Sequence, residues 1–144
     1  MTDVPFVDVT HTLLDSDWPL TLTDYDEIAD PRDPVVFHYI RRYSPYDNVS
    51  LQAYPPMLVN VAEHDRRVPV WEALKWVARL RRAQTSRSLI LLRIDSAVGH
   101  RGMTDRLAEV EDAALVYTFI AACLTTRGVS PPGDTRCAVS GESG

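Results

Sequence analysis

The sequence holds only two cysteines, Cys123 and Cys137. They are too few and wrongly spaced for a zinc site, and they offer no disulfide framework, so a cytoplasmic setting is expected. No apolar run is long enough to cross a bilayer; the longest, Ala113 to Leu124, is interrupted by Thr118. Residues 1–8 have neither a basic n-region nor an apolar h-region, so no secretory signal is read there. Positive charge is not in excess. Fifteen Lys and Arg against 20 Asp and Glu give a net charge of −5. That balance argues against nucleic acid and anionic membrane as partners and leaves a mild attraction for basic ligands. His11, His38 and His64 show no ligand spacing, so no metal is expected.

What is present is an ordinary globular composition, 45% apolar and 24% charged, in 144 residues. That length suits one domain with a real core. Two residues stand out: Asp65 in Ala62-Glu-His-Asp-Arg-Arg-Val68, and His100 in Ala97-Val-Gly-His-Arg-Gly102. Each follows a short apolar stretch with strand character, and a helical segment separates them. Acid then histidine is the later part of the chain order Ser…Asp…His. The matching G-x-S-x-G elbow is nowhere in the sequence. In such a pair the acid fixes the histidine tautomer and stabilises the imidazolium, and a pKa near ~6.5 suits the histidine to general-base work. On spacing alone, a solvated turn Asp and a surface-loop His are the plain alternatives.

The rest of the chain supplies a scaffold. Val4-Pro-Phe-Val-Asp-Val9 is β-prone, with Pro5 marking an edge or a strand end. Thr23-Asp-Tyr-Asp26 fits a helix start, capped by Thr23. Asp33 and Pro34 fit another, with Val36, Phe37 and Ile40 as its apolar face and Ser44-Pro45 as its end. Residues 57–61 and 88–94 read as strands, and 70–82 as a helix. Residues 104–124 read as a long helix with Leu107, Val110, Ala114, Tyr117, Ala121 and Leu124 on one face. Its last three turns are apolar nearly all round, so that end is expected to be buried. Trp71 and Trp76 are expected to pack the 70–82 helix onto the sheet. Strand, helix, strand, helix implies a parallel sheet with flanking helices, with Asp65 and His100 past the carboxyl ends of adjacent strands. The Pro- and Gly-rich segment 125–144 is expected to be a disordered tail following a 1–124 domain. The predicted sheet is thin, and a strand edge is expected to be left bare.

Pro5-Phe-Val-Asp-Val9, Ser44-Pro-Tyr-Asp-Asn-Val49, Trp71-Glu-Ala-Leu-Lys-Trp-Val-Ala-Arg-Leu-Arg81 and Gly99-His100 resemble the C-terminal part of the catalytic domain in the prolyl oligopeptidase family of serine peptidases. The resemblance runs from about Val4 to Leu124. It implies an incomplete α/β-hydrolase fold and cleavage of short peptides after Arg or Lys, without a cofactor. Asp65 is then the triad acid and His100 the triad base, with the nucleophile Ser upstream of the string matched by Pro5-Phe-Val. Asp24 and Asp26 align with an acidic pair associated with basic substrates, each one methylene shorter than the family's Glu. Arg67 aligns with an arginine that holds a substrate carbonyl. Arg101 stands where many relatives have Gly. Capping and helix-dipole stabilisation are the plain alternative for Asp24 and Asp26, and a solvated loop arginine for Arg67.

Two further readings stand beside this one. The chain could do no chemistry alone, as half of a split enzyme completed by a chain that carries the Ser, or as the remnant of a broken gene. Another α/β-hydrolase activity, such as an esterase, fits the tryptophan-containing string and the acidic pair less well.

Overall fold

A computed structural model describes residues 1–18, 21–96 and 106–128. Three parallel strands, β1 (Thr2–Asp3), β2 (Met57–Ala62) and β3 (Ile90–Asp95), form one sheet in that order. Helices α1 (Val9–Leu14), α2 (Thr21–Glu27) and α3 (Pro34–Tyr43) lie between β1 and β2, α4 (Val70–Ala83) crosses from β2 to β3, and α5 (Arg106–Gly128) follows. The α/β class read from the alternation of strand and helix is therefore the architecture observed. No helix among the described residues is long and apolar enough to cross a membrane.

The core follows the periodicities. Ala73, Val77 and Leu80 recur at helical spacing and pack on Val59, Val61 and Ile90, which alternate along the strands; Trp76 and Met57 border this cluster. Each large aliphatic side chain fully buried there contributes about 1.5–3 kcal/mol. A second cluster joins Val9 and Leu13 of α1 to Ile40 of α3, with Phe6, Tyr25 and Val36 around it. The start of α3 is as expected: Asp33 Oδ1 accepts the Val35 N–H at 2.8 Å and Pro34 takes the first helical position. Ser44, ahead of Pro45, ends it.

Several expectations need correction. The first strand is two residues long and ends at Asp3 rather than running through Val9. Val4 N–H donates to Asn60 O at 2.8 Å with φ at 41°, and Pro5 has no N–H to continue the ladder. Helix α2 begins at Thr21, which puts Thr23 inside it rather than at the cap. Helix α5 extends through residues 125–128 of the segment expected to be a loose tail; residues 129–144 lie outside the described residues. The expected burial of α5 is not found. Tyr117 is 71% exposed and Leu124 66%. An Arg93–Asp112 ion pair ties α5 to β3, but among the described residues nothing covers its apolar stripe.

Candidate active site

The site is set by the register of the two longer strands. Ala62 and Asp95 are paired as the last residues of β2 and β3, and the Glu63 N–H donates to Asp95 O at 2.8 Å. The two strands therefore end level with each other at one edge of the sheet. In parallel sheets that edge is where ligands collect, because the loops there diverge and leave a crevice.

Asp65 lies three residues past β2. It is 5% exposed. Its N–H reaches back to Ala62 O at 3.3 Å, and its Oδ1 accepts the N–H groups of Arg67 at 2.7 Å and Val68 at 3.0 Å. A short acid that bonds the backbone two and three residues on closes a tight turn and holds its own carboxylate in a fixed direction. Asp65 is thus a buried, oriented carboxylate rather than a solvated turn residue. His100 and Arg101 lie outside the described residues, so the Asp65–His100 pairing is not part of the observed geometry.

The other candidates are placed unevenly. The Arg67 side chain is exposed, and its carbonyl accepts the Trp18 Nε1–H at 3.2 Å. That bond fastens the segment ahead of α2 onto the acid-bearing loop. Thr21 hydrogen-bonds the Trp18 and Thr12 carbonyls at 3.2 Å each. Asp24 and Asp26 both lie on α2, but two helical positions are about 200° apart and do not share a face. Asp24 is half-buried and Asp26 exposed. Burial pushes the Asp24 carboxyl up, and neighbouring Glu27 pushes it the same way. The structure brings α2 to the acid loop through Trp18, yet it does not aim both acids at one point. Among the described residues no group of three or more His, Cys, Asp or Glu could hold a metal ion.

Sequence reasoning missed a buried polar cluster beneath this edge. Glu72 is fully buried on α4. Its Oε2 accepts the N–H groups of Val7 and Asp8, each at 2.8 Å, and the Thr12 hydroxyl donates to its Oε1. Asp8, also fully buried, takes Lys75 Nζ at 2.5 Å and His11 Nδ1 at 2.6 Å. Burial raises the Glu72 carboxyl, against the lowering effect of its hydrogen bonds. The helical pattern carried no signal for it, because Glu72 and Lys75 both lie off the face formed by Ala73, Val77 and Leu80.

Comparison with known proteins places this geometry. The prolyl oligopeptidase family profile matches residues 1–127. Protease 2 of Moraxella lacunata is 42% identical over 117 residues, which are 81% of this chain and 17% of that protein. Dipeptidyl aminopeptidase BI of Pseudoxanthomonas mexicana is 40% identical over 120 residues, 83% of this chain and 17% of that protein. Oligopeptidase B from Leishmania major superposes with a TM-score of 0.82 at 39% identity, over 85% of this chain and 17% of that one. The chain therefore spans about a sixth of the length of the relatives it matches. The three-stranded sheet and its helices are part of the α/β-hydrolase fold of those enzymes' catalytic domain.

Proposed function

Because the chain belongs to the prolyl oligopeptidase family, we propose that it derives from the C-terminal portion of an oligopeptidase B-like serine endopeptidase that hydrolyses short peptides after Arg or Lys. The observation that carries this reading is Asp65, a buried carboxylate fixed by two backbone N–H groups just past the carboxyl end of β2. Asp65 orients His100 and stabilises its imidazolium. A Ser outside these 144 residues attacks the scissile carbonyl while His100 takes its proton. The C–N bond then breaks as that proton passes to the leaving amine. Water repeats the sequence on the acyl ester, which frees the acid and restores the Ser. Asp24 receives the basic side chain, with Asp26 nearer solvent, and Arg67 holds a substrate carbonyl.

The chain alone is expected to be inactive, because no nucleophile elbow occurs in it. A polypeptide segment that carries the Ser and the remaining strands is expected to complete the site. The test is complementation. The N-terminal part of Moraxella lacunata Protease 2, ending where the match begins, is co-expressed with this chain and assayed on Arg, Lys and neutral fluorogenic peptides. Hydrolysis of the basic substrates that disappears with Asp65→Asn and with His100→Ala supports the reading. A stable complex without hydrolysis favours the second reading, a non-catalytic half of a split enzyme or the remnant of a broken gene.

A further inference from the structure

A groove of about 680 Å³ runs along the outer side of α4, between that helix and the segment 46–51. Its charged lining is Lys75, Arg79 and Arg82, and its apolar lining includes Val49, Leu51 and Ala83. No carboxylate lines it. That is unusual in a chain of net charge −5. Helix α4 carries four cations and a single acid, Glu72, which is turned inward and fully buried.

The three cations are not equivalent. Lys75 is answered by Asp8 at 2.5 Å. Arg79 is stacked over the Tyr46 ring, 4.8 Å from its centroid, with the Lys75 ammonium 4.7 Å from the same ring. Among the described residues neither Arg79 nor Arg82 has a carboxylate partner. Asp47, beside Tyr46 in the sequence, is engaged by Thr10 at 2.9 Å and by Arg41 at 3.7 Å. A guanidinium held on an aromatic face has already lost much of its rotamer freedom, so less entropy is lost when it binds a carboxylate. Arg79 and Arg82 are three residues apart on a helix and so are neighbours on its surface. Leu51, 79% exposed, supplies apolar contact beside them.

We propose that this groove is a docking site for an acidic peptide segment of another protein, whose carboxylates pair with Arg79 and Arg82 while an apolar side chain covers Leu51 and Ala83. None of the lining residues belongs to the candidate active site, so the inference stands or falls separately from the peptidase reading. The experiment uses the full 144-residue chain and a blocked hexapeptide of alternating Glu and Leu, followed by calorimetry and amide chemical-shift mapping. The Gln-for-Glu peptide serves as control. The acidic peptide is expected to bind, to shift signals of Tyr46, Val49, Arg79, Arg82 and Ala83, and to bind more weakly as salt is raised. The Gln peptide, and the acidic peptide on Arg79→Gln/Arg82→Gln, are expected to bind about tenfold more weakly. Arg82→Gln alone changes an exposed side chain and leaves the fold intact; a measurable loss is expected there too. Equal affinity for the Glu and Gln peptides, no binding at all, or shifts confined to α5 would overturn the proposal.

Discussion

Lys75 Nζ and Asp8 Oδ2 lie 2.5 Å apart, joining the second turn of α4 to the loop that leaves β1. Asp8 is fully buried, whereas the Lys75 side chain is 39% exposed. The two ends of the pair are therefore unequal. Removing Lys75 strands a buried charge, with His11 as its remaining side-chain ligand. Removing both charges strands neither.

A double-mutant cycle should expose that inequality. Lys75→Met is expected to cost about 2 kcal/mol, below the usual loss for a fully buried pair because the lysine is partly solvated. Asp8→Asn combined with Lys75→Met should cost less than the sum of the single changes. Urea unfolding of the four proteins measures the coupling, and strict additivity would show that the pair contributes nothing beyond its separate members.

Glu72 should make stability depend on pH in the opposite sense to most carboxylates. Burial raises its folded-state pKa above the ordinary 4.5. The folded chain then holds the proton more tightly than the unfolded chain does. The stabilisation is complete below the unfolded pKa and is lost as pH rises through the raised folded value. Glu72→Gln should flatten this fall while still accepting from the Val7 and Asp8 amides. Glu72→Ala should cost about 3 kcal/mol or more, because it leaves two buried N–H groups and the Thr12 hydroxyl without their acceptor. Denaturation midpoints across pH 4–8 decide the matter; identical pH slopes for the wild type and Glu72→Gln would remove Glu72 from the titration.

The helical placement of Asp24 and Asp26 separates their roles. In the complemented enzyme, Asp24→Asn should lower kcat/KM for an Arg substrate about tenfold or more while sparing a neutral one, since a charge-assisted bond in a half-buried site is lost. Asp26→Asn, on the exposed side, should have a smaller effect. Because burial raises the Asp24 carboxyl, the preference for Arg should begin to fade at a higher pH than an ordinary aspartate would give as the medium is acidified. Equal losses from the two substitutions would mean that the acids act together across the helix.

These contrasts mark what was legible in the sequence. The crossover from β2 through α4 to β3 is spelled out by local periodicity, since Val59 and Val61 alternate and Ala73, Val77 and Leu80 recur by turns. Asp33 and Pro34 announce α3 by capping chemistry that needs only neighbouring residues. The turn at Asp65 was readable from its neighbours, as an acid just after an apolar strand, whereas its assignment as a triad acid rested on the family resemblance. The Glu72 cluster was not, because its acceptor and donors are 60 to 65 positions apart and meet only in the fold. Trp18 and Arg67, 49 positions apart, are a similar case. The first strand was overread because β-propensity at Val4, Phe6 and Val7 reports half-buried packing, whereas Pro5 cannot donate to a ladder.

The apolar stripe of α5 predicts the behaviour of the isolated chain. Leu107, Val110, Tyr117 and Leu124 are each more than 60% exposed, and their spacing puts them on one side of the helix. A monomer seldom leaves so continuous an apolar face in water. Strand β1, two residues long at the sheet edge, covers little backbone, and unpaired strand edges invite pairing with other chains. The purified chain is therefore expected to self-associate and to bind an apolar dye strongly. Tyr117→Lys with Leu124→Lys should reduce both effects without lowering helix content, since neither side chain packs in the observed core. Adding the complementing N-terminal chain should suppress dye binding in the wild type and have little effect on the double variant. A monodisperse wild-type monomer with a cooperative melt and weak dye binding would show that the stripe is satisfied within this chain.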